Sequence, residues 1–454
     1  MKTTQIDYQK LHQLAYNSLL ELTTDDGIFA SARNEVYGCL FGRDSFITII
    51  KTLDAFKRLP KDRQVDFHPL LEKFKTTILL IASEQGKKIN LENGEEPGKF
   101  IHELRTSGYE HLLNAEKPWF VDEQGILKIF DSIDSTPLGL IAIYKYWEAT
   151  QDGKFIIEML PVIEAGLNWI ITYGDWDKDG LIEYNNPLET RKHGGLVVHS
   201  WTDSHESFTD TSGLLPKYPI APVEVQSFAW LALKLWAKFY ANSHASKDFS
   251  VKLTSFADSI KQKFNEKFIL QDEDLFYGAQ ALDGNKNQIK TITGNPLLCL
   301  WTVFEENDKK ESIINDIFIE QFVKRAFLPD MFIPHAGIRT MSSNSPTFNP
   351  KSDSYHNGSF WPMLNGLIVR GLENFNFKEE ASLLKKASLL PIVHFGSPIE
   401  LYNLDENNQY IEYCSPSGHF GCKQQAWSAA AVLYLTADEL IDEPTCKNPQ
   451  ILLN

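Results

Sequence analysis

Cysteine is scarce in this chain of 454 residues: five thiols, at Cys39, Cys299, Cys414, Cys422 and Cys446, an odd number at irregular spacing. A chain of that length can bury a large core without covalent staples, so the thiols are expected to be free. Positive charge is in deficit too, with 44 Lys and Arg against 60 Asp and Glu and a net charge of −16. The acids are scattered rather than blocked. Such a field repels nucleic acid and anionic membrane and is indifferent to a neutral polyol. Long apolar runs are missing: Thr77 to Ala82 and Ala429 to Leu435 fall far short of a bilayer span. Met1 to Leu22 has no signal-peptide pattern, so a cytoplasmic protein is expected, taken as a monomer. No Cys/His cluster has zinc spacing, no glycine-rich turn follows a strand as a phosphate loop does, and no G-x-S-x-G elbow occurs. Neither a metal nor a cofactor is expected.

Aromatic residues, by contrast, are plentiful: 10 Trp, 16 Tyr and 29 Phe, many beside Asp, Glu, His or Asn rather than inside apolar runs. Most aromatics in any protein are core, but this mixture also suits a wall that packs on a sugar ring and bonds its hydroxyls.

Apolar residues recur at spacings of three and four down the whole chain. Val225, Phe228, Ala229, Ala232, Leu235, Trp236 and Phe239 draw one helical face, with Pro222 near the start and Glu224 in the first turn. Similar patterns predict helices near 6–23, 44–58, 66–84, 134–150, 154–173, 250–267, 311–326, 358–373, 378–392 and 424–440. Between them lie segments rich in Gly, Pro, Asn and Asp, notably 85–131, 174–221, 268–294, 329–357 and 396–423. These are longer than ordinary connections, and long ordered loops carry function. With no flexible linker and no fixed repeat of 20–50 residues, the expectation is one domain over residues 1–454. An all-α (α/α)₆ toroid fits best, two rings of helices with the long loops gathered over one end. A superhelical repeat array is the competing layout.

Splitting a glycosidic bond needs one carboxylic acid to protonate the leaving oxygen and a second carboxylate to activate water or attack carbon. Among 60 acids, surroundings must select the pair. A working acid belongs in a loop among aromatics and hydrogen-bonding groups, whereas most helical acids face solvent. Two loops qualify. His199-Ser200-Trp201-Thr202-Asp203-Ser204-His205-Glu206-Ser207 sets a carboxylate beside an indole and between hydroxyls; Gly396-Ser397-Pro398-Ile399-Glu400-Leu401-Tyr402-Asn403 sets a lone glutamate among apolar residues. Each could equally be a loop hydrogen-bonder. Phe41-Gly42-Arg43-Asp44-Ser45 opens a helix, where Asp44 or Ser45 could be a plain N-cap. Tyr355-His356-Asn357-Gly358-Ser359-Phe360-Trp361-Pro362 is denser in side chains suited to a sugar. Asp175-Trp176-Asp177-Lys178-Asp179-Gly180 imitates the opening of a calcium loop, but its twelfth position is Asn186 rather than Glu, so a tight Asp/Gly turn is preferred.

In this order the clusters resemble the amylo-α-1,6-glucosidase domain of the glycogen debranching enzymes, an (α/α)₆ glycosidase family. The matching segments are Gly42-Arg43-Asp44-Ser45, Ser132-Ile133-Asp134-Ser135, Trp201-Thr202-Asp203-Ser204, Pro222-Val223-Glu224-Val225-Gln226, Gly337-Ile338-Arg339-Thr340, Tyr355 to Pro362, Glu400-Leu401 and Gln424-Gln425-Ala426-Trp427-Ser428. The resemblance implies Asp203 as general acid, Glu400 as general base, and inversion at the anomeric carbon. It also implies sugar contacts from Arg43, Asp44, Asp134, Tyr355, His356, Trp361 and Gln425; Trp201 and Glu206, in the loop of Asp203, are expected to bind substrate too, although His205-Glu206 departs from the family's pattern. Because the Arg43 cluster comes so early, no second catalytic domain or polysaccharide anchor is expected, and a short oligosaccharide suits as well as glycogen. The activity implied is exo-acting release of glucose from α-1,6 branch stubs or short α-glucosides. The alternatives are hydrolysis of a small glycoside such as glucosylglycerate or mannosylglycerate, and a non-catalytic carbohydrate-binding toroid.

Overall fold

A computed structural model describes residues 5–440 apart from 187, 189, 211 and 243–245. Cys446 lies outside the described residues; the other four cysteines are free. Among the described residues, and leaving aside the four-residue turns Lys61–Gln64 and Glu110–Leu113, twelve helices are laid down in chain order: α1 Tyr8–Leu22, α2 Gly42–Arg58, α3 His68–Ser83, α4 Ser135–Thr150, α5 Gly153–Thr172, α6 Val223–Ala241, α7 Lys247–Lys267, the equally short α8 Leu298–Trp301, α9 Asp316–Ala326, α10 Pro362–Asn374, α11 Lys378–Phe395 and α12 Ala426–Thr436.

The even-numbered helices form a closed ring: α2 packs on α4, α4 on α6, α6 on α8, α8 on α10, α10 on α12, and α12 returns to α2. Odd-numbered helices back them from outside, α5 on α4, α7 on α6, α11 on α10 and α1 on α12. This is the (α/α)₆ toroid, and burial explains which helix goes where. Every residue of α12 is buried, and α6 is buried on nearly all sides; a helix apolar all round belongs inside. Helix α7 buries only Ser250, Leu253, Ala257, Ile260 and Phe264, the one stripe its outer position requires. One continuous hydrophobic core runs from Leu11 on α1 to Leu440.

Three details differ from the sequence reading. The helix predicted from 311 starts at Asp316, because Lys309–Ser312 pairs with Val303–Glu306 in a hairpin whose corner, Asn307-Asp308, has positive φ. That is the backbone of a two-residue hairpin turn, which Asn and Asp tolerate. The ring position of α8, unforeseen, is filled only by the turn Asn295–Leu297 and the four residues of α8 itself. Finally, α5 is 20 residues long and holds an 18-residue stretch with a mean hydropathy of 1.5, enough in length and composition to cross a membrane, contrary to the expectation that no stretch is. Here it lies against α4 with Phe155, Met159, Ile163, Leu167 and Trp169 buried.

Five of the eight matching sequence segments fall at one place in this frame. Gly42–Ser45 opens α2, Ser132–Ser135 leads into α4, Pro222–Gln226 opens α6, Tyr355–Pro362 leads into α10 and Gln424–Ser428 opens α12. All are N-terminal ends of inner helices, where unpaired N–H groups and the helix dipole add partial positive charge around a common axis.

Candidate active site

Over that end of the ring lies a cavity of about 310 Å³. Its floor is buried: Arg43, Asp44, His102, Glu103, Trp201, His356, Trp361, Glu400, Gln425 and Trp427. Its rim, half-buried to exposed, comes from the loops holding Val36, Tyr37, His111, Leu112, Trp119 and Leu196. Residues drawn from segments hundreds of positions apart thus meet because the ring closes.

Arg43 organises the floor. Phe41, the N-cap of α2, pairs with Glu103 in a three-stranded sheet of Leu40–Phe41, Glu103–Arg105 and Leu127–Ile129. Asp44 is therefore in the first turn of α2 and caps nothing. A Cβ on Gly42 would sit 2.2 Å from the Ile101 carbonyl and 2.3 Å from Ser135 Oγ, so glycine is what lets α2 start this close to α4. Each guanidinium nitrogen of Arg43 is committed: Nε to Asp134 Oδ2 at 2.7 Å, Nη1 to Asp203 Oδ2 at 2.9 Å and Nη2 to the Ser200 carbonyl at 2.9 Å.

Asp134, expected to touch sugar, is fully buried behind Arg43 and does not line the cavity; its place before α4 makes it a positioning group. Glu206 is likewise not where it was expected. The turn closed by Ser207 N–H to the Ser204 carbonyl carries it past the rim, where it is exposed. The remaining expected residues, Arg43, Asp44, Trp201, Asp203, Tyr355, His356, Trp361, Glu400 and Gln425, all line one cavity.

The two carboxylates singled out in the sequence are held differently. Asp203 is tied to Arg43 and keeps 23% of its side chain exposed; burial pushes its carboxyl above the ordinary Asp value, with the Arg43 charge pulling the other way. Glu400 is 1% exposed. Tyr355 donates to its Oε1 at 2.5 Å and the Cys422 N–H to its Oε2 at 2.7 Å, while the Tyr37 hydroxyl lies 3.2 Å from that of Tyr355. Burial nevertheless raises Glu400 to about 7. Asp44, buried beside these acids, is raised by burial to about 8.

Aromatic rings wall the floor. His356 stacks on Trp361 with centroids 5.0 Å apart, and Trp201 meets Trp361 edge-on at 5.8 Å. Ser204 Oγ bonds His356 Nδ1 at 2.9 Å, fixing the imidazole against the loop of Asp203. Several buried polar atoms of lining residues have no protein partner: His356 Nε2, Trp201 Nε1, Trp427 Nε1 and Gln425 Oε1. Buried polar groups are nearly always bonded, so a cluster of open ones lining a cavity is equipped for a polyol.

Sequence reasoning missed Tyr37, His102, Glu103, Arg105, Trp119 and, as a site residue, Trp427. Only Trp427 carried a signal, inside a segment already singled out. Outside the cavity, the carboxylates of Asp175, Asp177, Asp179 and Glu183 lie within 4.8 Å of one another. The ammonium of Lys286 sits among them, 2.8 Å from Asp177, 3.1 Å from Asp179 and paired with Glu183, and Gly180 adopts a φ of +83° in the turn.

A closed ring of six inner and six outer helices, with paired acids and aromatics over the N-terminal ends of the inner set, is the architecture of a six-hairpin glycoside hydrolase. Within that class the chain belongs to the amylo-α-1,6-glucosidase family, whose profile matches residues 117–434. The Arg43 segment precedes the matched span and reaches the site only through closure of the ring. Solved structures share the fold at low identity. A GH63 mannosylglycerate hydrolase from Thermus thermophilus, bound to Tris, is 13% identical, with a TM-score of 0.61 over 94% of this chain and 100% of that one. A metal-independent α-mannosidase from Streptococcus pneumoniae, in a non-productive complex with α-1,6-mannobiose, is 14% identical, with a TM-score of 0.56 over 96% and 94%. No curated protein sequence matches.

Proposed function

We propose that this glycoside hydrolase is an exo-acting, inverting α-glucosidase of amylo-1,6-glucosidase type, releasing one glucose from α-1,6 stubs or short α-glucosides. The observation that carries the reading is the pair Asp203 and Glu400 in one aromatic cavity at the small end of the range for ligand sites, about 300 to 1,000 Å³. A cavity of that size with a single rim suits a terminal sugar ring with its leaving group directed outward.

In this reading Asp203 protonates the glycosidic oxygen as the C1–O bond breaks. Glu400 accepts a proton from a water whose oxygen bonds C1 from the opposite face. Proton and hydroxide are thereby shared between the two products, and the next cycle needs only that Glu400 pass its proton to solvent and Asp203 regain one. Asp44 and the Arg43 edge would hold hydroxyls of the glucose, with Trp361 against its apolar face. The glycerate-glycoside alternative is disfavoured because the cavity's cations are already neutralised by its own acids.

The test is glucose release from a glucosyl-branched maltooligosaccharide by wild type, Asp203→Asn and Glu400→Gln. Both variants should lose on the order of 10³-fold or more in kcat/KM. On α-glucosyl fluoride, whose leaving group needs no proton, Asp203→Asn should recover much of its rate and Glu400→Gln should not. Full activity in either variant on the oligosaccharide would remove that residue from its role.

A further inference from the structure

The wall between the buried floor and the rim holds a second arginine, Arg105, two residues from Glu103 on the same strand. Both are 4–5% exposed and both line the cavity. Each nitrogen of the Arg105 guanidinium has a protein partner: Nε pairs with Glu103 Oε1, Nη1 donates to the Gly108 carbonyl at 3.2 Å and Nη2 to the Val36 carbonyl at 2.8 Å. Gly108 and Val36 belong to exposed loops, which sets Arg105 beneath the rim, on the side where a leaving group departs. The rest of the cavity is acidic or neutral. Asp44, Asp203 and Glu400 face it, Arg43 is spent on Asp134 and Asp203, and burial holds His102 and His356 uncharged.

We propose that Glu103 is a specificity-determining residue which, by neutralising Arg105 in the leaving-group wall, commits the enzyme to uncharged aglycones, sugars or polyols, and rejects those that carry a carboxylate. A carboxylate entering this wall would have to displace Glu103 from Arg105 or lie unpaired near three other acids, and an unpaired buried charge is strongly disfavoured. The inference rests on the hydrolase reading above and deepens it. A site is specific as much through what it repels as through what it holds.

Two α-glucosides that differ only in the charge of the leaving group, those of glycerol and of glyceric acid, isolate the effect. Wild type should favour the glycerol glycoside at least tenfold in kcat/KM. Glu103→Gln, which frees the Arg105 charge, should shift that ratio at least tenfold toward the glyceric acid glycoside; Arg105→Gln, which leaves the Glu103 charge bare, should shift it the other way. The ratio is the readout because both residues line the site and absolute rates will change.

A binding measurement separates this proposal from the hydrolase reading. By calorimetry, D-glycerate alone should not bind wild type and should bind Glu103→Gln. If neither glycoside is turned over but glycerate binding appears in Glu103→Gln, the substrate reading falls and the charge pairing stands. A wild type that prefers the glyceric acid glycoside or binds glycerate, or a Glu103→Gln protein that melts like wild type and leaves both ratio and binding unmoved, overturns the proposal.

Discussion

The Tyr355 hydroxyl and the Cys422 N–H stabilise the ionised form of Glu400 against the cost of its burial. Removing one donor should therefore raise the Glu400 pKa further. Because the proposed base must be ionised to accept a proton, kcat/KM should climb with pH through the Glu400 ionisation near 7. In Tyr355→Phe that acidic limb should move to higher pH, and a limb that stays or moves lower would contradict the role of Glu400. Asp203 and Glu400 were legible in the sequence because each sits in a loop whose neighbours announce a site. Glu103 and Arg105 were not. In sequence they are an alternating charged-apolar-charged triplet, and only the pairing of Glu103 with Phe41 turns them toward the cavity. Asp134 was expected at the sugar from the resemblance alone; its partner Arg43 lies 91 positions away, so no local pattern showed their ion pair.

At the scale of elements, the outer helices were legible because one face of each meets solvent. The inner ones were legible from the same apolar spacing of three and four, as in α6; α8 escaped because four residues carry no period. The long loops are ordered by a buried ion pair that no local pattern reveals. Arg191 Nη1 and Nη2 bond both oxygens of Asp131 at 2.7 and 2.6 Å, joining the loop before α4 to the one before α6. Gly94, at a φ of +74°, and Gly195 leave room for it, since a Cβ on either would meet an Asp131 oxygen within 2.3 Å. Burial raises the Asp131 carboxyl, but Arg191 bonds and attracts its charge enough to bring it below the usual value. Asp131→Asn would leave Arg191 charged and buried, and should cost about 3 kcal/mol of stability, read from denaturant unfolding at pH 7. A cost under about 0.5 kcal/mol, the scale of an exposed pair, would mean the pair does not hold the loops.

For the whole molecule, burying acids around a ligand cavity ties stability to pH. Folding raises Asp44 to about 8 and Glu224 and Glu400 to about 7. A raised carboxyl stabilises the fold fully below its unfolded value, and that contribution is lost as pH rises through the folded one. Burial lowers His12 and His199 to about 4 from 6.5, so theirs is present above 6.5 and lost as pH falls toward 4. Among these groups the acids dominate between pH 6.5 and 8, so Tm should fall over that interval. Asp44→Asn should reduce the fall while impairing activity; an unchanged slope would mean Asp44 is ionised in the fold.

The most direct test of the two-carboxylate account is the anomeric configuration of the first glucose released from the branched oligosaccharide, followed by proton NMR before mutarotation. The account predicts β-glucose from wild type and none from Asp203→Asn or Glu400→Gln. Initial α-glucose, or release that survives both substitutions, would contradict it.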